Sequence, residues 1–397
     1  MTRKSVLLVT LPPLEGGVPA LTSLLAHFLT SRNYAVTVGY YATYGSEPDL
    51  VVPFWRLLSG RRPACRKTLR FGDIKTIGVG CWFPEMEIPY YLPSRLWSRL
   101  LERFDYHVVV GGNVLTGYRM IRYGLRHFIW CATPFLEERK DRQARMSLLR
   151  RLIDRSVLVP ILGAMERYVL SRSDMILTIS RYTANRFRAM GRKGPMDVLI
   201  VPVDCNEFVP PATPAPAGVV GFAGRYLDPR KNISMLIEAV AILRKKGTPV
   251  SLRLTGEPDT EISAVIERHG LGAAVEFTGF LDRNELPAFY QSLDVFALPS
   301  RQEGLGIVGI EAMAAGVPVV STRNGGAEDY VSDGENGLLV GFSAQEMASA
   351  LGRFIEDRDF RNRAAFHARK TAVDRYSLKT WHAGVEAAWL KVWGEPL

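Results

Sequence analysis

At 397 residues, with 47% hydrophobic and 23% charged side chains, the chain is long for one domain and comfortable for two, and neither disorder nor a membrane span dominates it. Its net charge of +10 is uneven, since residues 1–200 carry 30 Lys and Arg against 15 Asp and Glu, so the first half is expected to meet something anionic. Cys65, Cys81, Cys131 and Cys205 form no C-x-x-C pair and no His/Cys cluster at metal-ligand spacing, which suits free thiols in a reducing compartment.

The first apolar run, Val6 to Leu11, stops at Pro12; it is shorter than the roughly 7 to 15 residues of a signal-peptide core. It reads as a buried strand, and a cytoplasmic location is expected. The loop PPLEGG and the helix PALTSLLAHFLTSR follow, and YAVTVGYYA, YHVVVGG, HFIWCAT and DMILTIS read as further strands. Between them, PSRLWSRLLERF (93–104) sets Arg95, Arg99 and Arg103 against a face of Leu96, Trp97, Leu100, Leu101 and Phe104. Such a helix either lies on an anionic membrane or packs on the core with its arginines solvated, and the second reading is preferred. ERKDRQARMSLLRRLIDR is a second basic helix open to the same two readings. His127 opens a strand and is expected to be structural.

Residues 201–217 hold Pro202, Pro210, Pro211, Pro214 and Pro216 and read as a linker, because proline excludes helix interiors and central strands. After it, strands and amphipathic helices alternate. VVGFA is followed by NISMLIEAVAILRKK, expected to be capped by Asn232, then SLRLTG, DTEISAVIERHG stopped by Gly270, VEFTG, DRNELPAFYQSL, DVFALP and, beyond a glutamate-bearing segment, VPVVS. The alternation predicts an α/β architecture of two Rossmann-like, doubly wound domains, 1–200 and 218–375, facing each other across a cleft. A final helix in 376–397, with Leu378, Trp381, Val385, Trp389 and Val392 on one stripe, is expected to return to the N-terminal domain.

The glutamate-bearing segment, EGLGIVGIE from Glu303 to Glu311, directly follows a strand, the place where open parallel sheets bind ligands. Gly304 and Gly306 let backbone N–H groups approach a ligand, with Leu305 and Ile307 completing the loop, and a helix starting near Gly306 offers its positive end to a diphosphate. Glu311 is then placed to accept from ribose hydroxyls, and Glu303 from hydroxyls of whatever the diphosphate carries. An isolated pair at this spacing is more often two solvated helix-end carboxylates.

The surroundings favour the first reading. EGLGIVGIEAMAAGVPVVSTRNGGAEDYVSDGENGLLV, with Gly325, Gly326 and Glu328, resembles the donor-binding signature of family-4 retaining glycosyltransferases of the GT-B fold, and GFAGRYLDPRKN matches the family's Gly-Arg and later Lys at Gly224, Arg225 and Lys231. The resemblance implies a metal-independent, retaining hexosyltransferase with no cofactor beyond its nucleotide-sugar co-substrate, a UDP-sugar before a GDP-sugar. Arg225 and Lys231 would neutralise the departing diphosphate and act with Glu303 in catalysis. Gly16 and Gly17, after the first strand, would meet the donor from the N-terminal domain, which would bind a glycan, lipid-linked or small-molecule acceptor. Where relatives carry a His or Asp, this chain has Ala132, Thr133 and Pro134, so the acceptor side departs from the pattern and offers no evident base; the leaving phosphate would take the acceptor's proton. Asp357 and Asp359 spell Asp-x-Asp inside a charged helical stretch and read as surface residues, so no metal is expected. The rival readings are a sugar-nucleotide epimerase or hydrolase on the same fold and a nucleic-acid-binding module; the acidic second half argues against the latter. The basic first half would suit an anionic membrane surface.

Overall fold

In the computed structural model, the described residues are 3–12, 17–71, 73–144, 146–212, 218–225 and 227–397. They form two compact units, Met1–Leu199 with His382–Leu397, and Ile200–Trp381.

Unit 1 is built on eight strands: β1 Ser5–Thr10, β2 Ala35–Tyr41, β3 Cys65–Phe71, β4 Ile74–Val79, β5 Tyr106–Gly111, β6 His127–Cys131, β7 Met175–Thr178 and β8 Met196–Val198, ordered β3-β4-β2-β1-β5-β6-β7-β8. All neighbours are parallel except the hairpin β3–β4. Val6 to Val9 are wholly buried because β1 is central and covered on both faces. The chain winds from β1 toward β2 and later restarts on the other side at β5, so the sheet reverses direction between β1 and β5, the position where α/β sheets open a ligand crevice.

Helix Arg95–Leu101, capped by the Ser94 hydroxyl, buries Trp97, Leu100 and Leu101 in the core of this unit. Its apolar face is therefore occupied. His127 is buried with Nδ1 2.8 Å from the Leu125 carbonyl, and burial pushes its pKa down. In the last helix, Leu378–Trp393, Trp389 is fully buried against Tyr34 and Tyr106, with ring centroids 5.1 and 4.8 Å away.

Unit 2 is a six-stranded, wholly parallel sheet of β9 Val219–Phe222, β10 Ser251–Leu254, β11 Val275–Phe277, β12 Val295–Leu298, β13 Val319–Thr322 and β14 Gly337–Val340, ordered β11-β10-β9-β12-β13-β14. Its reversal falls between β9 and β12. The proline-rich segment is not all loose connection: Val203 bridges Ser377, and the Arg369 guanidinium donates to the carbonyls of Cys205, Phe208 and Ala314 at 2.9, 2.6 and 2.5 Å. Asn232 does not make the expected cap. It sits at φ 52° without a capping bond, and its amide donates instead to the Pro299 carbonyl at 3.3 Å. Asp357 caps helix Arg358–Tyr376 by accepting from Phe360 N. Among the described residues no helix is long and apolar enough to cross a membrane, and no group of three or more His, Cys, Asp or Glu is arranged to hold a metal ion.

Candidate functional site

Two loops meet at the reversal of the unit 2 sheet. The first leaves β9 at Ala223 and runs through Gly224 and Arg225 to the short turn Pro229–Lys231; the second leaves β12 at Pro299 and runs to Gly306, where helix Ile307–Ala314 begins. A backbone bond from Arg301 N to Arg230 O, 2.7 Å, ties them together, and the Asn232–Pro299 bond is a second tie.

Lys231 Nζ lies 2.6 Å from Glu303 Oε1, and the Ser300 hydroxyl donates to the same oxygen at 2.6 Å. Side-chain exposures of 17% and 12% make this a largely shielded ion pair, stronger than a surface pair because water screens it less. Arg225 is different: its side chain is exposed and has no ionic or hydrogen-bonding partner among the described residues. Gly224, at φ +142°, holds the turn just before it, with its N–H on the Thr255 hydroxyl at 3.1 Å.

The backbone N–H groups of Gly304, Leu305, Gly306, Ile307 and Val308 find no acceptor among the described residues. They form one run at the start of a helix, where unpaired donors and the helix dipole together favour an anion. Gly306 takes φ +79°, which a side chain would strain. The run is held in place from behind. Tyr330, buried, donates its hydroxyl to Gly306 O at 3.0 Å; a Cβ on Gly309 would come within 2.3 Å of that hydroxyl, and one on Gly326 within 2.7 Å of Leu305 O. Asn324 braces the neighbouring loop, accepting from Gly326 N and Ala327 N at 3.1 and 3.0 Å while Glu303 N donates to its carbonyl at 3.0 Å.

Glu311 stands one turn into the helix. The buried phenol of Tyr290 donates to its Oε2 at 2.8 Å, and burial pushes the Glu311 carboxyl pKa up. Glu328 accepts from Gly325 N at 2.9 Å. The structure thus joins Lys231 directly to Glu303 and sets Gly224, Gly304, Leu305, Gly306, Ile307 and Glu311 on the two loops and the helix they lead to. Tyr290, Ser300, Asn324 and Tyr330 were not singled out from sequence. Tyr290 lies 21 residues before Glu311 on a different helix, and no spacing rule links them.

In unit 1, Gly16 lies outside the described residues. Gly17 opens helix Gly17–Ser31, and a Cβ there would meet nothing within 4 Å, so packing inside the unit does not require glycine. After β6, Ala132 N and Thr133 N bond Gly112 O at 3.2 and 2.8 Å. Among the carboxylates of this region, Glu138 accepts from Asn113, and buried Glu166 accepts from Phe135 N at 2.8 Å, with burial pushing its pKa up to about 7. Beyond the carboxyl ends of β2 and β4 lies an open recess of about 360 Å³ lined by Tyr44, Trp55, Glu85, Glu87 and Arg150 among others. These residues come from separate loops and one helix, so no local motif announces them.

The description of glycosyl transferases group 1 matches residues 207–371. The chain is 32% identical over 247 residues to a GDP-mannose-dependent alpha-(1-6)-phosphatidylinositol monomannoside mannosyltransferase of Mycolicibacterium smegmatis, covering 56% of this chain and 64% of that protein. It is 38% identical over 174 residues to a D-inositol 3-phosphate glycosyltransferase of Corynebacterium urealyticum, covering 41% of each. The chain therefore spans less than two thirds of either relative. Among solved structures, sucrose-phosphate synthase of Thermosynechococcus elongatus superposes with a TM-score of 0.73 at 18% identity over 99% of this chain and 100% of that one. Anabaena HepE in complex with UDP gives 0.69 at 19% identity over 97% and 99%. At such identities these two show the fold alone, two α/β units of the GT-B class.

Proposed function

We propose that the chain is a GT-B glycosyltransferase, a reading supported by the family match over residues 207–371 and by the named relatives, and that it transfers a sugar from a nucleoside-diphosphate sugar to an acceptor hydroxyl, with retention at the anomeric carbon and without a metal ion. The observation that carries the proposal is the run of five N–H groups from Gly304 to Val308 that find no acceptor among the described residues, together with the Lys231–Glu303 pair and with Arg225 on the loop that follows β9. A diphosphate on those N–H groups gains charge-assisted hydrogen bonds, which are about twice as strong as neutral ones. Lys231 has three N–H donors, so it can keep Glu303 and still reach a phosphate oxygen. Glu303, oriented by Lys231 and Ser300, accepts from the donor sugar's hydroxyls. Glu311, oriented by Tyr290, accepts from the ribose.

As the bond from the anomeric carbon to the phosphate oxygen breaks, charge accumulates on the diphosphate, where Arg225, Lys231 and the helix start stabilise it. The acceptor oxygen bonds the anomeric carbon from the same face, and its proton passes to the leaving phosphate oxygen. The recess offers the acceptor aromatic faces at Tyr44 and Trp55, hydroxyl-accepting carboxylates at Glu85 and Glu87, and a cation at Arg150, a set that suits a polyol or sugar bearing an anionic group. The matched relatives are named as transferases, which favours transfer over an epimerase or hydrolase. Uridine is the base proposed on the resemblance; the GDP-mannose dependence in the names of the mycobacterial relatives favours guanosine as the second reading.

The test is the thermal midpoint of the protein across a panel of nucleoside diphosphates and their sugars, with and without a chelator, beside Glu311→Ala. One base class should raise the midpoint regardless of chelator, because a ligand that binds only the native state stabilises it, and the variant should lose that response. No response from any nucleotide sugar would sink the proposal.

A further inference from the structure

Helix Phe135–Ala144 follows β6, and the residues on either side of Glu138 pin it to the rest of unit 1. Glu137 accepts from Arg186 Nε at 2.8 Å and from the Tyr182 hydroxyl at 3.0 Å. Arg139, 1% exposed, is held between Glu87 and Asp154, with its Nε 3.1 Å from Asp154 Oδ2. The first N–H of the helix, that of Phe135, goes to Glu166. Glu138 shares none of these partners. Its Oε2 accepts from Asn113 Nδ2 at 2.8 Å, and its Oε1 has no partner among the described residues. A Cβ built on Gly112 would stand 3.4 Å from Glu138 Oε2 and 3.6 Å from Leu11 Cδ1. Gly112 directly follows β5 and Leu11 directly follows β1, so the carboxylate lies over the ends of both strands, at the reversal where the sheet opens its crevice. Asn113 is buried and cannot turn away: its Oδ1 accepts from Leu115 N at 3.0 Å, which leaves Nδ2 for Glu138.

We propose that Glu138 is a specificity-determining residue of the acceptor site: its free oxygen accepts a hydrogen bond from a hydroxyl of a sugar ring or cyclic polyol held in unit 1, and so selects which hydroxyl is offered for transfer. The inference rests on the proposed glycosyl transfer. A carboxylate with an open acceptor position takes an O–H donor and repels a phosphate or a second carboxylate. Glu138 bonds no cation among the described residues that would reverse this preference. Glu137 and Glu166 also keep one oxygen each without a partner, but both oxygens are shielded from solvent, whereas Glu138 is only half-buried. The recess of unit 1 lies beside this carboxylate. Tyr91 lines the recess, and its phenol pKa is pushed up by burial first, then by Tyr41, Glu138 and Glu87. Arg150 lines the same recess, 3.9 Å from Glu87. An acceptor bearing both kinds of group is thereby oriented, its anion toward Arg150 and its hydroxyl toward Glu138. Glu138 takes no proton; that of the reacting hydroxyl still passes to the leaving phosphate. Asn113 acts through Glu138 and is a positioning residue.

The experiment follows release of the nucleoside diphosphate from the nucleotide sugar that raises the thermal midpoint. The acceptors are myo-inositol and the methyl α-glycosides of mannose, glucose and galactose, and the proteins are wild type, Glu138→Gln and Asn113→Asp. Glu138→Gln keeps the side chain's size and removes its charge. Asn113→Asp keeps the oxygen that Leu115 N needs and removes the donor that fixes Glu138. Both variants should melt as folded proteins and keep the nucleotide-induced rise in midpoint, since the nucleotide loops belong to unit 2. The acceptor KM should rise about tenfold or more in Glu138→Gln, the loss of one charge-assisted hydrogen bond, with kcat changed by less than about threefold. The KM should rise in Asn113→Asp as well, and the linkage formed on the best pyranoside, read by NMR of the product, should become mixed. An unchanged KM and linkage in Glu138→Gln with the nucleotide response intact overturns this inference and leaves glycosyl transfer standing. Wild type that responds to no nucleotide sugar removes both. Wild type that responds to the nucleotide yet glycosylates none of these acceptors overturns the hydroxyl site alone. A loss of activity that only tracks a lowered melting temperature marks Glu138 as structural and overturns it too.

Discussion

Gly309→Ala probes the scaffold behind the anion-binding run. A Cβ at this position would come within 2.3 Å of the Tyr330 hydroxyl and 2.9 Å of two ring carbons, and Tyr330 is 1% exposed with its ring edge-on to Tyr376. The ring cannot swing to solvent, so either it or the helix Ile307–Ala314 must shift. Overpacking of this kind costs about 1–3 kcal/mol. Loss of the hydroxyl's bond to Gly306 O adds about 1 kcal/mol, and the better helix propensity of alanine returns about 1 kcal/mol. The net loss is about 1–3 kcal/mol, a fall of about 2–10 °C in the melting transition of a unit this size. Tyr330→Phe removes both the clashing oxygen and its hydrogen bond, so the double variant should melt well above the sum of the two single losses, with a coupling of about 1–2 kcal/mol. Calorimetric melting of the four proteins measures it. Additive losses, or a Gly309→Ala protein as stable as wild type, would refute the assignment of Tyr330 as the brace of this loop.

Burial raises the Glu166 carboxyl pKa from its ordinary 4.5 to about 7. The folded state therefore holds a proton that the unfolded state releases, its stabilisation is full below about pH 4.5, and it is lost as pH rises toward 7; Glu166→Gln should flatten the pH dependence of the midpoint across that window by up to about 3 kcal/mol, and an unchanged slope would contradict it. Asn324→Ala strips the acceptor from Gly326 N and Ala327 N, both buried, and should lower stability by about 2–3 kcal/mol in a denaturant titration. A loss below about 0.5 kcal/mol, the range of ordinary surface changes, would show that the loop does not depend on Asn324.

The central strands were legible because they are short, continuous apolar runs: VLLV in β1, VVVG in β5 and VFAL in β12 are buried throughout. The hairpin β3–β4 was not, since Arg66, Lys67 and Arg70 break any apolar run and an edge strand needs no alternation that the core would impose. β8, three residues long, gives too little pattern to see. Asn232 looked like a helix cap, but the loop that brings Lys231 to Glu303 also turns Asn232 left-handed and spends its amide on the neighbouring strand end. The glutamates and glycines of the 303–311 segment could be read because a helix start after a parallel strand has one geometry. The residues that hold them, Tyr290 and Tyr330, lie far off in sequence and become visible only when the sheet folds. Of the two basic helices read from sequence, the first buries its apolar face in the unit 1 core, whereas Leu148, Leu152 and Ile153, within the second, stand exposed: periodicity shows that a helix is amphipathic but does not say which side the core will claim.

Calorimetric titration of the nucleoside diphosphate of the preferred base into wild type and into an Arg225→Ala, Lys231→Met double variant tests the donor site most directly. Each cation is expected to supply a charge-assisted contact of about 1.5–3 kcal/mol, so the double variant should bind at least about 100-fold more weakly while melting as a folded protein. A folded double variant that binds the nucleotide as tightly as wild type would contradict the placement of the diphosphate between the β9 and β12 loops, and with it the proposed transfer chemistry.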